Sequence, residues 1–360
     1  MTQPAVTDRA ADRPTLEQSA FPSMTTGRWA LTAAAVVVAA LLPLVVSSQY
    51  YQSVMVTTLI LLVLNISWNF VLGVAGVWNF AQLAIYALGG YGAGVIMLHS
   101  SVSPWLALLA GGVVGMLAAV LLAFPTLRLY GIYTSLLTFA FAEVIQYVIV
   151  NDGTGITGGS FGLPAVKGLF SSLSLDGQNK AYYWTALAIV VAATLALAAV
   201  GQSGLGIALR SIRDAPGYAA ARGVNPLRYR VIAFAISGFL AGIAGGLYVS
   251  AEGSIAPTVM GLTPMSVYVT MLVIGGQGTS TGPILGTILV QIVATVLITH
   301  PGAEFTILGL FLLVVVIFVP DGLTGLISRY TRRIGAWVAE DETEEEDDDQ
   351  PEGSTDPHVA

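Results

Sequence analysis

Residues 201–250 read GQSGLGIALRSIRDAPGYAAARGVNPLRYRVIAFAISGFLAGIAGGLYVS. Thirty residues carrying Arg210, Arg213, Arg222, Arg228 and Arg230 run into twenty with no charge at all. The second part is long enough to cross a hydrocarbon core of about 30 Å as a helix. The first part has the arginine content of a loop held on the cytoplasmic side of a membrane. Within it, Gly204–Arg213 is competent to form a helix, and Asp214-Ala215-Pro216-Gly217 breaks it. Tyr218–Arg222 then predicts a short alanine-rich helix, with Gly223 as its C-terminal cap. Asn225 caps the next helix, whose first residue is Pro226, and that helix enters the membrane. A short exposed helix of small residues stabilises little by itself. Between two membrane spans it makes sense as a knob for a groove on a soluble partner; the alternative is a positive loop with incidental helicity.

The same pattern extends along the chain. Of 360 residues, 55% are hydrophobic and 10% charged, and the mean hydropathy is +0.78. Soluble domains carry about 25% charged residues. The apolar stretches predict ten spans near 29–46, 54–72, 79–98, 104–124, 130–150, 182–200, 231–250, 259–275, 283–299 and 304–320. The eighth is the least regular, interrupted by Gly261 and Pro264. With Arg28 inside, alternation puts Arg128, the 201–230 loop and Arg329, Arg332 and Arg333 inside as well. The 151–181 segment, dense in glycine and turn formers, falls outside. Residues 340–356 hold 11 of the 21 acids, so the remainder is positively charged and the formal net charge of −7 belongs to the tail. The expected organisation is a polar cytoplasmic tail over 1–28, a membrane domain over 29–327 and an acidic, disordered tail over 328–360.

Several chemistries are excluded. The chain has no cysteine, and His99, His300 and His358 are too scattered to suggest a metal site. The two lysines, Lys167 and Lys180, lie in no Gly-x-x-x-x-Gly-Lys-Ser/Thr loop, so an ATP-driven process needs its ATPase on another polypeptide. No catalytic cluster and no basic-aromatic surface suited to nucleic acid appears.

Polar residues inside spans are the candidates for a transport path, because they are costly in lipid. Glu143 is the carboxylate well inside a span, and it serves as a hydrogen-bond anchor, a gating or substrate contact, or a proton-coupling group. Asn65, Trp68, Asn69, Asn79 and Gln82 flank a glycine break at Gly73–Gly76, which resembles the break Gly275–Thr281 in the same membrane orientation. Paired interruptions of this kind mark the substrate region of many transporters; helix–helix hydrogen bonding is the alternative. Glycines four apart, at Gly238, Gly242 and Gly246 and at Gly90/Gly94, Gly111/Gly115 and Gly282/Gly286, predict close helix packing within the chain or at a subunit interface.

Ala208–Tyr248 resembles the permeases of branched-chain amino acid ABC importers, of the LivM type with its LivH sister. SWNFVLGVAGVWNFAQLAIYALGGYGA (67–93), LRLYGIYTSLLTFAFAEVIQYVI (127–149), TGGSFGLP (157–164) and VIGGQGTSTGPILG (273–286) match in family order. The resemblance covers roughly residues 50–326 and implies an all-α, polytopic ABC importer permease fold. It implies that 214–223 is the coupling helix docking on an ATPase, with Arg210, Arg213, Asp214, Tyr218, Ala219, Ala220 and Gly223 in or beside the contact. Ala220 stands where the family's usual glutamate is expected, so that residue's salt bridge is absent and Arg213 and Asp214 are left to supply polar contacts. Implied partners are a second homologous permease, two cytoplasmic P-loop ATPases that hold the ATP and magnesium, and an extracytoplasmic binding protein. This chain itself binds no cofactor. The implied setting is a prokaryotic cell membrane with both termini cytoplasmic, and the implied cargo is aliphatic amino acids, with urea, short amides or aromatic acids as alternatives. Closure of the ATPases would move 214–223 and tilt spans six and seven. A stand-alone secondary transporter or channel would require more membrane-embedded ionisable groups, and a membrane-embedded enzyme a catalytic cluster.

Overall fold

The computed structural model describes residues 26–297 apart from 47, 127, 128, 130, 165 and 280, together with 309–310 and 322–325. The described residues form eleven α-helices: α1 Thr26–Val45, α2 Gln49–Gly73, α3 Gln82–His99, α4 Pro104–Thr126, α5 Ile132–Val150, α6 Leu175–Gln202, α7 Gly204–Asp214, α8 Pro216–Ala221, α9 Pro226–Glu252, α10 Leu262–Gly275 and α11 Gly282–Leu297. Among them there is no strand, only an isolated antiparallel bridge between Leu163 and Ile255. The protein is an all-α polytopic membrane protein. Nine of the ten expected spans coincide with α1–α6 and α9–α11. The tenth, 304–320, the two tails and Arg128, Arg329, Arg332 and Arg333 lie outside the described residues, apart from 26–28, which open α1, and the helical pair 309–310.

Some boundaries differ from expectation. The eighth span narrows to α10, because Pro257–Met260 forms a separate 3-10 turn. Pro264 sits in the first turn of α10, where its missing N–H costs no hydrogen bond. At 14 residues, α10 is about 21 Å long, shorter than the hydrocarbon core. The outer loop also ends earlier, because α6 begins at Leu175. Ser174 caps it by accepting the Gly177 amide, and Lys180 pairs with Asp176 one turn away at 2.8 Å.

Packing centres on α2, which is buried all round from Leu59 to Gly73. A helix that is apolar on every face belongs inside a bundle. Around it, α9 lies against α3 and α4 through the predicted glycine ladder. A Cβ at Gly242 would come within 2.4 Å of the Gly111 carbonyl oxygen, and one at Gly115 within 2.5 Å of that of Gly238. These glycines therefore pack helices of the same chain, since small residues let backbones approach where lipid offers no hydrophobic drive.

The ends of the helices sort as alternation requires. Arg213 meets the α2–α3 turn, and a cavity lined by Gly76, Trp78, Leu129 and Arg230 brings the α4–α5 and α8–α9 turns to that same end. At the opposite end, Leu163 pairs with Ile255 and the Gln146 amide donates to the Pro257 carbonyl. There Asp152 closes a turn by accepting from the amides and hydroxyls of Thr154 and Thr157. Those bonds, led by the Thr154 hydroxyl, hold its carboxyl well below the usual carboxylate range. A depressed folded value means the stabilisation is present above the unfolded pKa of about 3.9 and is lost only as pH falls through the folded one. Amide exchange at residues 154–157 should thus stay protected at pH 4, and Asp152→Asn should speed it at neutral pH. Equal exchange in both proteins would contradict the assignment.

Candidate functional site

The arginine-rich end carries two linked structures. The first is built from the two glycine breaks. Asn69, near the end of α2, reaches across to the 276–281 turn, donating to the Thr279 carbonyl at 2.8 Å and accepting the Gly278 amide at 2.9 Å. A Cβ on Gly73 would lie 2.5 Å from the Gly278 Cα, so the two backbones touch. Gly278 sits at φ +76 and Gly76 at φ +70, in the left-handed region that glycine tolerates. Thr324 fastens the second break from the far side, donating to the Gly275 carbonyl at 3.0 Å and meeting the Thr279 hydroxyl at 3.2 Å. The two breaks, which resemble each other in sequence, thus form one clasp joining α2 to α10 and α11.

The second structure is the 204–223 segment. α7 is strongly amphipathic: Leu209 and Ile212 are fully buried while Ile207 is exposed. After a break at Ala215, α8 projects with Pro216 in its first turn. Ala219 is buried, but Tyr218 is 82% exposed, and among the described residues outside their own chain neighbours nothing lies within 4 Å of a Cβ added at Gly217 or Gly223. Ala220 and Asp214 are exposed as well. Gly223 ends the helix at φ +81 with its amide on the Ala220 carbonyl. Asn225 then accepts the Leu227 and Arg228 amides to begin α9. Gly223 and Asn225 act as their chemistry predicts, whereas Pro216 and Gly217, expected in the break, open α8 and leave Ala215 alone between the helices.

The arginines of α7 depart from the expected role. Rather than facing a partner, Arg210 donates to the Gly201 carbonyl at 2.8 Å, near the C-terminal end of α6, where a cation is favoured. Arg213 is turned inward too. Its guanidinium donates to the Gly73 carbonyl at the end of α2. Asp214 grips its other edge through Nε at 2.8 Å. The aliphatic part of the Arg213 side chain lies against Gly76, where a Cβ would displace it. Arg213 is therefore a strut between the exposed α7–α8 segment and the clasp. That the loop and the two breaks share one end was readable in the sequence; the partner carbonyl of Arg213 was not.

The other expected residues lie in the bundle interior. Gln82 donates to the hydroxyls of Ser67 and Ser237, each at 3.0 Å, and Ser237 donates to the Ser67 carbonyl at 2.8 Å. Asn79 donates to Gln82 at 2.9 Å and accepts the Ala81 amide. This network joins α2, α3 and α9. Asn65 donates to Thr287 at 2.8 Å and faces the Met271 sulfur at 3.3 Å, joining α2 to α10 and α11. Its carbonyl oxygen, like the Trp68 indole nitrogen, has no hydrogen-bond partner among the described residues. Trp68 packs with Leu72, Leu83 and Leu272. The geometry thus uses these amides to hold helices together. Tyr86, overlooked in the sequence because an aromatic ring inside an apolar span reads as core, is fully buried beside Tyr248, with ring centres 5.9 Å apart and its hydroxyl unpartnered among the described residues. Glu143 is different from all of these: it is exposed on α5. No group of three or more His, Cys, Asp or Glu suited to a metal occurs among the described residues.

Fold and site define a multi-pass transport permease of the cell membrane. The chain belongs to the family of branched-chain amino acid transport system permease components, whose profile matches residues 50–320. It is 26% identical over 285 residues to the high-affinity branched-chain amino acid transport system permease protein LivM of Escherichia coli, covering 73% of this chain and 67% of that one. It is 23% identical over 290 residues to a probable branched-chain amino acid transport permease protein LivH of Methanocaldococcus jannaschii, covering 76% and 90%. A nucleoside ABC transporter permease protein, NupC of Lactococcus lactis, is 28% identical over 197 residues, 49% of this chain and 59% of its own. No solved structure matches the chain.

Proposed function

We propose that this chain is the permease subunit of an ATP-driven importer in which α8 docks on a separate ATPase and Arg213 carries the resulting motion into the clasp. The observation that supports this most is the contrast within 204–223. A six-residue helix with an aromatic side chain 82% exposed is mounted on a helix keyed into the core by Leu209, Ile212 and Arg213. Such a segment is rigid on its inner side and open on its outer side, as a lever requires. The lever meets spans six and seven through the chain itself, and α2 through Arg213. Displacement of α8 then shifts α2 against α10, whose short length leaves it free of a fixed depth in the bilayer. The arginine-rich end faces the cytoplasm in this reading, by the positive-inside rule.

The cargo proposed is an aliphatic amino acid, following the names of the LivM and LivH relatives. An extracytoplasmic binding protein would deliver it at the face formed by the 151–174 and 253–261 segments. The nucleoside permease among the relatives makes competition uptake with leucine, urea, benzoate and a nucleoside the measurement that assigns the cargo.

Docking is tested at Tyr218. Its side chain is open to solvent, so Tyr218→Asp should leave insertion and thermal stability unchanged. It should reduce co-purification of the ATPase at least tenfold, because it puts a desolvated charge into the contact. Undiminished recovery of the ATPase would remove α8 as the docking element.

A further inference from the structure

Three tyrosines from three helices meet inside the bundle. Tyr86 of α3 and Tyr248 of α9 have ring centres 5.9 Å apart. Tyr268 of α10 lies within electrostatic reach of both. The Tyr86 side chain is fully buried, and its hydroxyl has no hydrogen-bond partner among the described residues. A buried hydroxyl is normally satisfied by protein or by ordered water, so this one marks a place for a polar guest. Glu252 stands one turn beyond Tyr248, at the outer end of α9. It too is within electrostatic reach of Tyr86 and Tyr248. Thr57 of α2 donates to one of its oxygens at 3.1 Å. No cation pairs with it among the described residues, where both ion pairs are Lys180–Asp176 and Arg213–Asp214. Negative charge beside clustered tyrosine rings is a surrounding that suits a small cation.

We propose that Tyr86, Tyr248 and Glu252 hold the ammonium group of the cargo during its passage. The inference rests on the amino-acid reading of the cargo and says where the charged end of that cargo is held. A primary ammonium carries three hydrogen-bond donors and no acceptor. The open oxygen of Glu252 and the hydroxyl oxygen of Tyr86 take two of them, and the Tyr248 ring lies against the charge. The same arrangement rejects urea, benzoate and nucleosides, which bring no ammonium group to the carboxylate. With Tyr86 wholly covered, the described arrangement is closed. Tyr268 belongs to α10, whose following turn is held by Asn69 of α2. A shift of α2 against α10 then withdraws the Tyr268 ring and opens the Tyr86 hydroxyl. Three core tyrosines packed for stability alone predict no such opening.

The chain has no cysteine, so a single introduced thiol reports without background. In the full complex with its ATPase, in proteoliposomes supplied with ATP, Tyr268→Cys keeps all three proposed ligands. Charge focused in a cleft changes on-rates by about tenfold or more. The Tyr268→Cys thiol should therefore react about tenfold faster with aminoethyl than with sulfonatoethyl methanethiosulfonate. Leucine should slow that reaction, and adding Glu252→Gln should erase the preference. Val249→Cys, packed against Gly94, should stay unreactive as a control. In the chain with its own tyrosines, Glu252→Gln should lower leucine uptake about tenfold at equal ATPase recovery, through loss of a charge-assisted bond. Tyr86→Phe should lower uptake at an unchanged melting temperature, since it breaks no hydrogen bond among the described residues. No labelling of Tyr268→Cys by either reagent, equal rates with both, or no protection by leucine each overturns the site. So does full leucine uptake by Glu252→Gln. An unaltered complex that takes up a nucleoside or urea and not leucine strikes the amino-acid reading instead.

Discussion

Arg213→Ala is expected to leave the protein inserted, the ATPase bound and ATP hydrolysis measurable, while uptake of cargo falls by about ten- to a hundredfold. The magnitude follows from what the side chain does. Its guanidinium makes a charge-assisted hydrogen bond to the Gly73 carbonyl, and such bonds contribute about 1.5–3 kcal/mol. At about 1.4 kcal/mol per factor of ten, losing that contact only in the state that must transmit motion gives the stated range. Alanine also removes the aliphatic stem that rests on Gly76, so the α2–α3 turn gains freedom as the strut is lost. The two effects act in the same direction. Asp214 sharpens the test, because it holds the guanidinium by its Nε edge and fixes the direction of the remaining donors. Asp214→Asn should therefore lower uptake by a smaller factor in the same sense. Lysine at 213 keeps the charge but not the fork of donors, so it cannot hold carbonyl and carboxylate together in one plane; partial uptake is the expected outcome. Uptake and ATP hydrolysis are to be read together in proteoliposomes. A strut predicts that hydrolysis outlives transport, whereas simple damage to docking removes both. Full uptake by Arg213→Ala would leave α7 without a mechanical link to α2.

The sequence carries this site unevenly, and the reason is physical. Punctuation is local chemistry. Pro216, Gly223, Asn225 and Pro226 fix backbone geometry within a few residues of themselves, so the α7–α8–α9 path was readable before any fold. Charge sidedness is also readable, because arginine cannot easily be moved through a bilayer, and it places the loop and both glycine breaks together. The contacts that join them are another matter. Arg213 and Gly73 are 140 residues apart, and Gly278 and Asn69 are 209 apart. Neither pair leaves a periodic trace, since one partner in each is backbone. The inward turn of Arg213 is invisible for a related reason: to hydropathy, an arginine on a cytoplasmic loop looks the same whether it faces a partner or a carbonyl of its own chain. The α5 face shows the limit most clearly. In a soluble helix the polar stripe marks solvent, but lipid is as apolar as leucine, so the lipid-facing side of α4 and the buried side of α2 read alike. On α5 the carboxyl of Glu143 breaks the uniformity, but a single acid does not report which face is the core.

Gly73→Val should abolish uptake and lower the melting temperature of the purified protein, with ATPase docking at α8 retained in whatever fraction folds. At Gly76 a new Cβ would meet the flexible Arg213 side chain, which can give way. At Gly73 the first atom of any side chain would lie 2.5 Å from the Gly278 Cα and 3.3 Å from the Gly278 amide nitrogen, both of them backbone. Backbone yields only if the whole 276–281 turn retreats. Retreat breaks both Asn69 contacts, which hold that turn by its Gly278 amide and Thr279 carbonyl. Each lost bond exposes a buried amide group at about 1–3 kcal/mol, to which overpacking adds about 1–3 kcal/mol. The sum is a large fraction of the 5–15 kcal/mol that holds a typical domain folded. Asn69→Leu separates the two contributions. It removes both hydrogen bonds while leaving the close backbone approach intact, so it should weaken the clasp by less than valine at 73 does. If the clasp is what couples α2 to α10, the two variants should rank in uptake as they rank in stability, with Gly73→Val the lower on both axes. Near-normal transport by Gly73→Val would mean that α2 and α10 move independently, and the lever would then have to act through spans six and seven alone.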